Sequence, residues 1–129
     1  MGLDLYFYRK SKQLVDDSKE IMKILEDKPR LQKSFKELYE KYDSTEYNEI
    51  AYFRNSWEIL DFFGLENCED RIISDKEFKA FITELEDNGE ALQKNYNNSF
   101  EYKELLNKIK SIYSNNNFDE WYIYARAWW

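Results

Sequence analysis

The chain has 129 residues, the size of one domain around one hydrophobic core, and 19% of them are aromatic, so a few elements can bury enough ring surface to fold. Its formal charge of −7, from 26 acidic and 19 basic residues, argues against binding nucleic acid by neutralising phosphates; it is compatible with a partner that has a basic surface and is also what ordinary solubility looks like. With no histidine, one cysteine and three glycines, the sequence has no Ser-His or Cys-His pair, no Cys/His zinc set and no phosphate-cradling loop.

Residues 3 to 9, LDLYFYR, alternate and are rich in β-forming rings. They predict a strand with Leu3, Leu5 and Phe7 on one face and Tyr6 and Tyr8 on the other. No basic stretch followed by an apolar run marks a signal peptide, and no run is long enough to span a membrane. Met-Gly at the start does not complete a myristoylation motif, because Tyr6 stands where Ser or Thr is required.

The period then becomes helical. Leu14, Ile21, Met22 and Leu25 predict a helix that ends before Pro29, with Asp27 or Lys28 near the cap of the next, whose stripe is Leu31, Phe35, Leu38 and Tyr42. Residues 45 to 64, TEYNEIAYFRNSWEILDFFG, read as the most apolar helix: Ile50, Phe53, Trp57 and Leu60 form its stripe, Ala51, Ile59, Phe62 and Phe63 widen it, and Gly64 stops it. Such a helix is expected at the heart of the core. Ser74 and Glu77 make a capping box for a further helix with Phe78, Phe81, Ile82 and Leu85 on one side, closed by Asn88-Gly89.

Residues 92 to 99 are polar and read as a loop, with Ser99 capping a last helix striped by Tyr102, Leu105, Leu106, Ile109 and Ile112 or Tyr113. After the break at SNNNF, Trp121, Ile123, Ala125 and Ala127 alternate with Tyr122, Tyr124 and Arg126, which predicts a closing strand over 118–127. Two isolated strands leave their backbones unpaired. The expected architecture is therefore α+β and mostly helical: one domain over 1–129, with about five helices packed on a short antiparallel sheet formed by the N- and C-terminal strands.

Carboxylates cluster at Asp16 and Asp17, at Glu66, Glu69 and Asp70, and at Glu84, Glu86 and Asp87; in so acidic a chain these read as solvated faces rather than catalytic or metal sites. DNGE at 87–90 lacks the alternating ligands of a calcium loop. Lys10, Lys12, Lys28, Arg30, Lys33 and Lys36 form a basic patch, which reads as a solvated face. Cys68 permits no intramolecular disulfide, fits a reducing cytoplasm, and is expected to pack as a small apolar side chain. The informative residues are the rings outside the core pattern. Tyr6, Tyr8, Tyr122 and Tyr124, on the outer faces of the terminal strands, and Trp128 and Trp129 beyond the clear alternation are the candidate partner-binding residues, the competing reading being that helices cover that face.

The segments MGLDLYFYRK, EIAYFRNSWEILDFF, NCEDRIISDKEF and FDEWYIYAR together resemble a group of small phage and prophage proteins of low-GC bacteria that open with Met-Gly-Leu-Asp-Leu/Met-Tyr. The resemblance spans roughly half the chain. It implies a phage protein working in the bacterial cytoplasm as an anti-defence, anti-CRISPR-like inhibitor. Such a protein binds a host effector's basic surface without enzymatic activity, cofactor or metal, and without touching nucleic acid directly. The alternative is a phage structural or self-assembling protein whose terminal strands pair between subunits in a homo-oligomer.

Overall fold

The structure, a computed structural model, describes residues 2–27, 48–96 and 101–129. Strand β1 (Asp4–Ser11) runs antiparallel to β4 (Trp121–Trp128) over eight residue pairs, from Asp4 opposite Trp128 to Ser11 opposite Trp121. The two strands with period-2 patterns thus pair with one another, and two more extend the sheet. β2 (Asn48–Arg54) joins the far side of β1, and the three residues of β3 (Arg71–Ile73) join β4, giving the antiparallel order β2-β1-β4-β3.

The described helices are α1 (Lys12–Asp27), α2 (Trp57–Phe63), α3 (Asp75–Tyr96) and α4 (Tyr102–Ser114). Among the described residues the fold is α+β, with helices and a four-stranded antiparallel sheet. Among the described residues no helix is long and apolar enough to cross a membrane. The expected stripe of α1 lies on side chains outside the described residues, as do the helix expected over 31–42 and Ser99.

The inner sheet face follows the alternation. Leu3, Leu5, Phe7, Ile123, Ala125 and Ala127 are all fully buried. They meet Phe53 and Ile73 from the outer strands, Ile59 and Phe63 from α2, Phe78, Phe81 and Leu85 from α3, and Leu105, Ile109 and Ile112 from α4. Phe7 is the hub, edge-on to Phe53 at 5.8 Å and to Phe63 at 6.4 Å. Burying one such ring contributes roughly 1.5–3 kcal/mol.

Residues 45 to 64 do not form the single central helix expected from their stripe. Residues 48–54 are a strand, and helix begins only at Trp57. The segment carries two periods. Ala51 and Phe53 sit opposite Phe7 and Leu5, while Tyr52 sits opposite Tyr6 on the other face. An irregularity in the ladder leaves Ile50 between Ala51 and Glu49, which pair with the adjacent Phe7 and Tyr8. That extra residue masks the alternation. Asn55 ends the strand with φ 56°, and its Oδ1 accepts a bond from the Leu3 amide at 2.9 Å. Gly64 stops α2 as expected, at φ 63°.

The Ser74–Glu77 capping box is present: the Glu77 amide donates to Ser74 Oγ at 3.1 Å, and the Ser74 amide to Glu77 Oε1 at 3.3 Å. Its helix does not end at Asn88-Gly89. It kinks there, with Asn88 at φ −129° and ψ 15°, and continues to Tyr96 through residues expected to be loop. Gly89 is buried because α4 comes close. A Cβ at this position would lie 2.2 Å from Tyr102 Cδ2, so this glycine admits a ring rather than stopping a helix. The N-cap of α4 is Glu101, with no side-chain cap bond.

Candidate protein-binding face

The outer face of the sheet divides into two halves. Toward α1 it carries Tyr8 and Lys10, with Tyr122 and Tyr124 beside them. Tyr8 and Lys10 are each only 5% exposed, the Lys10 ammonium lies 5.0 Å from the Tyr124 ring centroid, and Lys12 Nζ lies 5.1 Å from that of Tyr122. The Tyr122 hydroxyl donates to Asp16 of α1 at 3.4 Å; burial, then the Asp16 charge, raise its pKa. Three of the four expected docking tyrosines, Tyr8, Tyr122 and Tyr124, belong to this half. The tyrosines of β4 are half-buried, and Tyr8 does not present its ring to solvent.

The other half holds a row of rings in which Tyr52 is exposed and Tyr6 and Trp128 are half-buried. Tyr6 on β1 lies 4.8 Å from Tyr52 on β2 and 5.2 Å, edge-on, from Trp128 on β4. Arg126 lies over Trp128 at 5.1 Å and reaches Asp70 at 3.8 Å. Tyr52 is 41% exposed and donates its hydroxyl to Asp4; that hydrogen bond, then desolvation and the Asp4 charge, raise the phenol's pKa. Tyr52 lies in the segment whose stripe reads as helix; the alternation of Ala51 and Phe53 with Tyr52 is the signal that marks its strand.

Trp128 continues the outer row of β4, and Trp129 turns away from it. Trp129 is 40% exposed, edge-on to Trp57 at 6.3 Å, and its backbone is clasped by Asn67, which accepts from the Trp129 amide at 3.2 Å. Of the expected aromatic six, Tyr6 meets Trp128 and stacks on Tyr8 at 6.0 Å, Tyr122 meets Tyr124 at 6.3 Å, and Trp129 meets Trp57.

An acidic loop borders the ring row. Residues 66–70 run beside the end of β4, where Asn67 bridges to Ala127 and the Cys68 amide donates to the Ala127 carbonyl at 2.8 Å. Glu66, Glu69 and Asp70 are exposed here. A hydrogen bond to Glu66, then that neighbour's charge, raise the pKa of Glu69. Cys68 is exposed at φ 62° rather than packed as a small apolar side chain; its amide, not its thiol, joins the sheet. Among the described residues no group of three or more His, Cys, Asp or Glu side chains is placed to hold a metal ion.

No family model matches the chain, and no curated protein or solved structure matches it either.

Proposed function

We propose that this is a binding protein of the anti-defence, anti-CRISPR-like type, acting in the bacterial cytoplasm by docking on the basic surface of a nucleic-acid-targeting effector. The observation that carries the reading is the Tyr52–Tyr6–Trp128 row with the acidic loop 66–70 beside it. Rigid rings give large contact area at small entropic loss, and interface hot spots are enriched in Trp, Tyr and Arg. The like-charged Glu66 and Glu69 would be relieved by a cationic partner, as complementary potentials steer encounter. A net charge of −7 suits competition with nucleic acid for the same channel.

The reading assigns the chain no chemistry, cofactor or direct nucleic-acid contact. Pairing of β1 with β4 inside one chain favours it over a structural or self-assembling protein built by strand exchange between subunits. The test is an effector cleavage assay with increasing amounts of this protein. Stoichiometric inhibition relieved by added salt is expected. Turnover of effector or guide, or no inhibition across a panel of RNA-guided nucleases, contradicts it.

A further inference from the structure

Arg9 is a charged residue in a row meant for apolar ones. It follows Leu5 and Phe7 on the inward face of the central strand and pairs with the fully buried Ile123. The carbon at the centre of its guanidinium is 4.5 Å from the Trp121 ring centroid, and its buried Nε has no hydrogen-bond acceptor. The ion pairs among the described residues do not include it.

A cavity of about 170 Å³ opens beside it, lined by Arg9, Ile50, Ser111, Ile112, Asn115 and Asn116. Asn116 Nδ2 donates to the Trp121 carbonyl at 3.4 Å, and its buried Oδ1 has no donor. The C-terminal end of α4 faces this region, but its partial negative charge of roughly half a unit offsets only part of a guanidinium.

We propose that this cavity binds a small carboxylate carrying a neighbouring hydroxyl or amine. The carboxylate takes the Arg9 fork, the donor serves Asn116 Oδ1, and Ile50 and Ile112 bound the apolar side. A planar fork suits a carboxylate's two oxygens. One cation in an acidic protein balances a monoanion and leaves a phosphate dianion under-compensated. The volume of about 170 Å³ suits an acid of a few heavy atoms. The site lies on the opposite face of the sheet from the ring row and is independent of the binding role proposed for that row.

The probes are lactate, acetate and inorganic phosphate, titrated into the full chain and followed by NMR of the Trp121 indole N–H and the Asn116 side-chain amide. Lactate is expected to shift both saturably, acetate to bind several-fold more weakly, and phosphate to leave them unmoved. Arg9→Met should abolish the response. Arg9→Lys, which keeps charge and bulk, should fold and weaken binding about tenfold or more through loss of the fork. Absence of any lactate shift, preference for phosphate, equal affinity for acetate and lactate, or unaltered binding by Arg9→Lys overturns the proposal.

Discussion

The Trp128 indole meets the Tyr6 ring edge-on, with centroids 5.2 Å apart, and so joins the first and last strands on the solvent side of the sheet. The same two strands are joined on the other side by the buried pairs Leu5–Ala127 and Phe7–Ala125. The inner contacts hold the fold, and the outer contact shapes the candidate docking surface. Trp128→Ala is expected to lower unfolding free energy by about 1–3 kcal/mol without loss of the fold, of which about 0.5–1.5 kcal/mol is coupling to Tyr6. Denaturant melts of Tyr6→Ala, Trp128→Ala and the double variant measure that coupling.

Removing residues 126–129 should unfold the protein. It deletes buried Ala127, whose carbonyl receives the Cys68 amide, and strips the pairing partners of Asp4, Leu5 and Tyr6. Removing Trp129 alone loses only the Asn67 clasp and the edge contact with Trp57. Far-ultraviolet circular dichroism is expected to show a folded chain in the second case and a collapsed signal in the first.

Gly89→Ala should destabilise by about 1–3 kcal/mol, as overpacking does, because the added methyl would enter the Tyr102 ring. The loss should shrink when Tyr102 is also made Ala. Thermal melts of the single and double variants decide it, and an equal loss in both would mean that the ring is not what the glycine admits.

The Tyr96 hydroxyl donates to Asp61 at 2.7 Å, and that bond, with burial and the Asp61 charge, pushes the phenol's pKa up to about 12 from the usual 10.0. A folded-state pKa above the unfolded value means that the native chain holds the proton longer. The stability this adds is fully present below pH 10 and is lost as pH rises through about 12. Asp61→Asn should bring the Tyr96 titration down toward the ordinary range, read by NMR of tyrosine Cζ.

Much of this fold is legible in the sequence where one period dominates. The alternation of β1 and β4, their pairing, the Ser74–Glu77 box and the stripe of α4 all follow from spacing. Reading fails where two periods overlap or where the cause is distant. Ile50, standing between the paired Ala51 and Glu49, turned a strand into an apparent helical stripe. Gly89 resembled a helix stop because the Tyr102 ring it admits comes from another element. The candidate site shared that fate. Tyr6 could be found by alternation and Trp128 as a ring just beyond it, but Tyr52 could not while its strand read as helix, and the burial of Tyr8 on the outer face is not visible in spacing alone.

The most direct test of the proposed role is the salt dependence of binding to a purified RNA-guided effector, measured for the intact protein and for the Tyr6→Ala/Trp128→Ala variant. Raising ionic strength from about 0.1 M to about 1 M shortens the screening length from about 10 Å to about 3 Å. The account predicts a complex that weakens steeply over that range and that the folded double variant does not form. Equal binding by the variant, or affinity indifferent to salt, would contradict it.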